Sequence, residues 1–315
     1  MNFVSGSDTN KALSIVVPVY NSEQILPLLH ERLTKVLLKY NEEYEIIFIE
    51  DFSSDNSWDI IKQLVKTDQC VSGVRLSRNY GQHNALLCGI RKAKYGIIVT
   101  IDDDLQNPPE EIPNLIETFN KGYDVVYGTP VEEKHGLLRD LASRITKYVL
   151  QGAMGAQTAR NVSSFRVFRT SLRDAFKNYT GSFVSIDVLL TWGTTRFIAQ
   201  PVKHEERKIG VSNYTFRKLL THAMNMITGF SVLPLQIASV VGFFFALFGV
   251  GVFCLVVIRY LLHGTPVPGW HFLASIISIF SGAQLFTLGI MGEYLARIHF
   301  RVMEKPAYSV RENAK

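Results

Sequence analysis

The sequence has 315 residues, 47% hydrophobic and 19% charged, with a formal net charge of +5. That length suits one catalytic-sized domain with an appendage. The modest positive charge, with no Lys/Arg run or aromatic–basic stripe, argues against nucleic acid as a partner and fits work beside anionic lipid or on phosphorylated substrates. Cys70, Cys88 and Cys254 are scattered, with neither a zinc spacing nor a disulfide framework, and predict a reducing compartment. The opening MNFVSGSDTNKA has no apolar segment behind a basic start, so no cleavable signal is expected and the N-terminal domain is expected in the cytosol.

Residues 13–19 (LSIVVPV) are a β-branched run that reads as a buried parallel strand ending in a loop at Pro18, Tyr20 and Asn21. Helical spacing follows over 23–40, then a second buried strand, EIIFIE (45–50), and the turn-forming DFSSDNS. Ser54 or Asp55 is the expected N-cap of a helix over 57–66. A strand over 71–76 leads through SRNYGQHN to a helix near 84–94, and IIVTID (97–102) is a third strong strand ending in acid. A helix over 110–121, a strand over 123–128 and a strand within 196–207 complete the pattern, with a basic amphipathic stretch, GLLRDLASRITKYVLQ, at 136–151. Alternating strands and helices with short links predict an α/β domain, a mostly parallel sheet with helices on both faces. Ligands of such sheets sit beyond the carboxyl ends of the strands. The polar groups Tyr20–Asn21–Glu23, Glu50–Asp51, Arg78–Asn79 and Asp102–Asp104 all fall there. No GxGxxG or P-loop follows the first strand.

Residues 219–258 and 260–292 carry no Asp, Glu, Lys or Arg. A span needs about 20 apolar residues, so two transmembrane helices are expected within 232–292, broken at HGTPVPG with Trp270 at the interface. Basic residues flank the pair on its outer sides, and the connecting loop offers only Arg259. The positive-inside rule therefore puts a domain over 1–210 and a tail over 293–315 in the cytoplasm, on a multi-pass protein of the inner (plasma) membrane. Residues 211–231 are expected to lie on the membrane surface as an amphipathic helix.

Asp102-Asp103-Asp104 carries the chemistry. Alternate residues of an extended segment point the same way, so Asp102 and Asp104 can face one site. Two carboxylates there suit a hard divalent cation that also bridges phosphates, and Gln106 can add a carbonyl oxygen. A solvated acidic turn before PPEEIP is the bland alternative.

The stretches IVVPVYNSE, EDFSSDNS, SRNYGQHNALLCGI, TIDDDLQNPPEEIP and EERKIGVSNY resemble the inverting GT-A glycosyltransferases that transfer sugars to polyprenyl phosphate, such as dolichyl-phosphate mannose synthase and the bacterial undecaprenyl-phosphate glycosyltransferases. The resemblance runs over almost the whole chain. It implies a nucleotide-sugar donor (UDP-sugar preferred, GDP-sugar possible), a polyprenyl phosphate acceptor, Mg²⁺ or Mn²⁺, and a homo-oligomer, a tetramer among the options. Pro18, Tyr20, Asn21 and Glu23 would line the nucleotide pocket, with Asp51 on the base. Asp102, Asp104 and Gln106 would bind the metal, and Arg207 would reach over the phosphates. Arg139, Arg144, Lys147, Arg166 and Arg169 are the candidates for the acceptor phosphate. Relatives carry an Asp ahead of the FR motif where this chain has Arg160 and Asn161, which leaves Asp187 as the substitute base. Relatives also carry Lys where this chain has Asn213. Two other classes stay open: a processive polysaccharide synthase, whose QxxRW motif TWGTTRF does not match, and a non-catalytic membrane protein that binds sugar-lipid.

Overall fold

The computed structural model describes residues 12–40, 43–130, 162–181, 184–205, 233–263 and 269–315. The chain divides into two compact units, Met1–Ala223 with Glu304–Lys315, and Met224–Met303.

In the first unit, strands β1 (Leu13–Val19), β2 (Tyr44–Glu50), β3 (Val71–Leu76), β4 (Ile97–Thr100), β5 (Val125–Pro130), β6 (Arg166–Arg169), β7 (Phe197–Val202) and β8 (Val310–Ala314) form one sheet in the order β7-β5-β6-β4-β1-β2-β3-β8. Strands β1 to β4 pair in parallel, as do β5 and β7; β6 and β8 run antiparallel to their neighbours. The expected mostly parallel sheet is present, with two reversals that short apolar runs do not reveal. Every residue of β1 and β2 is buried, as strands covered on both faces require. Successive side chains of β1 point to opposite faces. Ile15 and Val17 join α1 (Leu26–Tyr40), α2 (Ser57–Thr67) and α4 (Ile112–Asn120), while Val16 joins α3 (Gln82–Lys92) and α5 (Ile186–Thr191). The α2 helix begins at Ser57, whose amide is held by Asp55 Oδ1 at 3.1 Å.

Helix α3 crosses β1 closely at Gly89, where a Cβ would collide with Val16 Cγ1 and lie 3.1 Å from Ile49 Cγ1. Gly89→Ala is therefore expected to destabilise the first unit by about 1–3 kcal/mol, the usual cost of overpacking. Denaturant unfolding of the purified variant checks it.

The second unit contains α6 (Leu233–His263) and α7 (Trp270–Val302). Within α6, Leu235–Leu262 is long and apolar enough to cross a membrane, and 0% of that window is buried. A core helix of a soluble protein would be mostly covered. The Phe245 and Phe280 rings meet edge to face, joining α6 to α7. The expected break at HGTPVPG falls between the two helices. Helix α7 runs on to Val302, beyond the boundary expected at 292, and the segment expected to be a tail ends in β8 on the sheet of the first unit. The juxtamembrane stretch 211–231 lies outside the described residues.

Candidate active site

Three loops leave the carboxyl ends of β1, β2 and β4, and each turns through a left-handed residue that is not glycine: Asn21 (φ 54°), Phe52 (φ 59°) and Leu105 (φ 58°). Asparagine tolerates this conformation, but for Phe and Leu it costs of order 1–3 kcal/mol and persists only where the surroundings over-determine it. Those surroundings are a dense set of hydrogen bonds between the loops. The Asn21 amide donates to Ser53 Oγ at 3.0 Å, and Asn21 Oδ1 accepts from the Ser54 amide at 2.9 Å. Glu23 accepts from the Asn56 amide at 2.9 Å, while the Glu23 amide donates to Asp55 at 3.0 Å. The buried Glu50 carboxylate accepts from the Ser53 amide and pairs with Arg75 Nε at 3.0 Å.

Asp51 receives the Tyr80 and Gly81 amides, one on each oxygen, both at 2.7 Å. Burial pushes its pKa up to about 6, against the pull of those two amides. It thereby fixes the loop after β3 to the loop after β2.

The acidic loop is held from three sides. Asp102 accepts from Gln82 Nε2 at 2.6 Å and from Ser164 Oγ. Ser164 arrives there because β6 is antiparallel to β4, with Arg166 opposite Thr100, so the start of β6 lies at the carboxyl end of β4. Asp103 accepts from the Tyr20 amide at 3.0 Å and from Ser22 Oγ, tying the β1 loop to the acidic loop. Asp104 Oδ1 accepts from the Gln106 amide at 3.1 Å. Burial pushes Asp102 up to about 6 and Asp103 up to about 7, and in both cases the neighbouring carboxylates add to the rise.

These loops enclose a cavity of about 300 Å³ lined by Pro18, Tyr20, Asp51, Asn79, Gln82 and Asp102 to Asp104. Pro18, Tyr20, Asp51, Asp102 and Asp104 thus come together. Asn21 and Glu23, expected to line the same pocket, instead hold the β2 loop in place. Gln106 is not among the lining residues; its backbone carbonyl accepts from the Glu205 amide at 2.8 Å. Glu205 is also held by Arg32 at 3.1 Å, and Arg32 pairs with Glu110 at 2.7 Å. Arg207, Arg139, Arg144, Lys147, Arg160, Asn161 and Asn213 lie outside the described residues.

Arg166 and Asp187 are brought together. Arg166 is 1% exposed and Asp187 6% exposed. They form an ion pair with each other, and Tyr127 donates to Asp187 at 3.2 Å. That pair buries the guanidinium of Arg166, expected at the acceptor phosphate, and the carboxylate of Asp187, expected as the base, against each other inside the fold. Arg169, further along β6, pairs with Asp124 at 3.0 Å. Asp103, Ser164 and Gln82 received no role from the residue pattern. Asp103 was hidden by alternation, which points it away from its neighbours, and Ser164 only gains meaning from the antiparallel β6.

Among the described residues no cluster of three or more His, Cys, Asp or Glu side chains forms a cage for a metal ion. The donor set is two to three carboxylates crowded in one cavity. It fits a hard cation that takes its remaining ligands from phosphate and water, as Mg²⁺ commonly does.

The sequence matches the family described as Glycosyl transferase family 2 over residues 14–180, which includes every loop of the cavity. The chain belongs to glycosyl transferase family 2. Over nearly its full length it is similar to proteins named undecaprenyl-phosphate 4-deoxy-4-formamido-L-arabinose transferase. Identity is 34% over 305 residues with that of Photorhabdus laumondii, covering 96% of this chain and 94% of the relative. With that of Serratia proteamaculans it is 36% over 308 residues, with 96% and 94% covered. The fold is similar to glucosyl-3-phosphoglycerate synthase from Mycobacterium tuberculosis, solved with Mn²⁺, UDP and glucosyl-3-phosphoglycerate. The TM-score is 0.53 at 15% identity, over 70% of this chain and 78% of that one. The sheet of this family 2 member is accordingly a GT-A sheet.

Proposed function

We propose that this family 2 enzyme transfers a sugar from a nucleoside diphosphate donor to the phosphate of a polyprenyl lipid, inverting the anomeric carbon, at the cytosolic surface of a membrane. One observation carries the reading: a single cavity is lined by both Asp51, which would accept from a base N–H, and the acidic loop Asp102–Asp104, which would take a cation on a diphosphate. The full-length relatives, named for undecaprenyl phosphate and a modified arabinose, support the acceptor class and make 4-deoxy-4-formamido-L-arabinose the first sugar to test. UDP is the preferred nucleotide.

Bound Mg²⁺ or Mn²⁺ would neutralise charge that develops on the departing nucleoside diphosphate. Asp102 and Asp104 would hold it, with Gln82 and Ser164 fixing the Asp102 carboxylate in orientation. Asp103 keeps the acidic loop against the β1 loop, so the diphosphate and base subsites stay in register. A lipid phosphate is already ionised at neutral pH, and its attack needs positioning and charge neutralisation more than a strong base. This agrees with the commitment of Asp187 to Arg166.

Two spans, α6 and α7, with both ends of the catalytic unit on one side, belong to the same reading. Strand β8 supports it, because a chain that leaves the sheet after β7 and returns to it at β8 re-enters the compartment it left. A homo-oligomer, a tetramer among the forms, is part of the proposal and is checked by mass measurement in lipid nanodiscs. The activity test is direct. The full-length protein in vesicles with undecaprenyl phosphate, Mn²⁺ and candidate UDP-sugars should yield glycosylated lipid by mass spectrometry and release UDP. No UDP release with any donor would sink the enzymatic reading.

The titration of Asp51 adds a pH dependence. Its raised folded pKa means that its contribution to fold stability is present below about 4 and lost as pH rises through about 6. Donor binding has the opposite sign, since only the carboxylate form accepts from a base N–H. The donor KM is expected to fall as pH rises from 5 to 7 and then level off, measured as initial rates with saturating lipid acceptor.

A further inference from the structure

We propose that the C-terminal strand β8 is part of the donor site, a strap that positions the two loops which enclose the nucleotide base. The inference rests on the nucleotide-binding reading above and assigns a role to residues 308–314, outside the segment matched to family 2.

The pairing of β8 with β3 is irregular at one place. Arg75 lies opposite Glu312 and Leu76 opposite Val310, so Arg311 is an extra residue, a bulge. Bulges bend a strand and re-aim a side chain, and they recur beside active sites. Here the Arg311 guanidinium lies over the Phe52 ring, 5.9 Å from its centroid, and Arg75 lies over the same ring at 5.8 Å. Phe52 directly follows Asp51 and holds the left-handed turn of that loop. Phe52 is 39% exposed, so these two cations supply cover that the core does not. The next residue acts on the same loop from its other end, where Glu312 accepts from Trp58 Nε1 at 3.0 Å, in the first turn of α2.

The second loop is held as well. The Ser77 amide donates to the Ser309 carbonyl at 2.9 Å. Ser77 opens the loop whose Tyr80 and Gly81 amides bind Asp51. Tyr308 lies under the Arg91 guanidinium at 5.7 Å, and Asn313 accepts from Lys92 at 3.0 Å, fastening the strap to the end of α3. A strand that only sealed the sheet edge would need its backbone ladder and nothing more. This one sends its bulged side chain and its flanking residues to both walls of the Asp51 subsite.

The test uses the full-length protein in nanodiscs, with UDP and Mn²⁺ as the probe, read by calorimetry and by donor KM and kcat. Arg311→Ala with Glu312→Gln is expected to raise the UDP dissociation constant about fivefold, in line with the loss of a cation–π contact and one hydrogen bond, and to raise KM with kcat little changed. A second variant ends after Tyr308. It is expected to lose UDP affinity and to regain it on addition of the peptide SVRENAK, but not of a scrambled peptide, as strand addition to a sheet edge allows. A lowered melting temperature with unchanged UDP affinity in the double variant overturns the proposal and leaves a structural brace. A wild-type protein that binds no UDP removes the donor-site reading together with this one.

Discussion

Replacing Asp104 by Asn is expected to reduce sugar transfer by at least about a hundredfold while membrane insertion and unfolding behaviour stay as in the wild type. The magnitude is that of removing one fixed electrostatic partner of a charge that develops in the transition state. Asp104 lines the cavity, and the acidic loop that carries it is anchored through other groups: Asp103 to Tyr20 and Ser22, Asp102 to Gln82 and Ser164. Losing one carboxylate oxygen at Asp104 therefore leaves the loop's main ties in place. It removes a charged ligand for the divalent cation, which an amide replaces poorly. The check is UDP release and lipid product across a Mn²⁺ titration, alongside thermal unfolding. Wild-type turnover in this variant would remove Asp104 from the metal role. A variant that fails to fold would instead give it a structural one.

The donor half of the site was legible in sequence because parallel strands write their ends plainly. LSIVVPV, EIIFIE and IIVTID are buried runs followed at once by polar residues, and a parallel sheet brings such ends to one edge. Strand ends bring Tyr20, Asp51, Asp102 and Asp104 to one edge, and the family resemblance adds Pro18. What stayed hidden depends on pairing across long sequence separations. Ser164 reaches Asp102 only because β6 reverses direction beside β4, and a four-residue strand has no periodicity that states its direction. The role of β8 is hidden for the same reason: VRENA is polar, short and distant in sequence, and its place on β3 comes from an unsatisfied sheet edge rather than from its own composition. The family resemblance implies that Asn21 and Glu23 line the pocket. They instead use their hydrogen bonds to hold the neighbouring loop, a distinction that residue type alone does not make.

On the acceptor side, Arg166 admits two expectations. An Arg in SSFRVFR, near a basic amphipathic stretch, has the chemistry of a phosphate ligand. Its burial against Asp187 and Tyr127 gives a different expectation. Removing one member of a buried ion pair leaves the other charged and uncompensated, which costs about 3–5 kcal/mol. Arg166→Met and Asp187→Asn are each expected to lower stability by about that amount, and the combined variant is expected to lose less than the sum of the two. A phosphate ligand would behave otherwise: Arg166→Met would raise the KM for lipid phosphate, leave the unfolding transition in place, and show no coupling to Asp187. Denaturant unfolding of the catalytic unit in the full-length protein, with lipid KM measured on the same preparations, separates the two. The pair also reaches the acidic loop. Arg166 Nε donates to the Ser164 carbonyl at 3.4 Å, and Ser164 Oγ donates to Asp102. Activity lost in Arg166→Met is therefore expected to appear as weaker Mn²⁺ dependence, carried through Ser164, rather than as weaker binding of lipid.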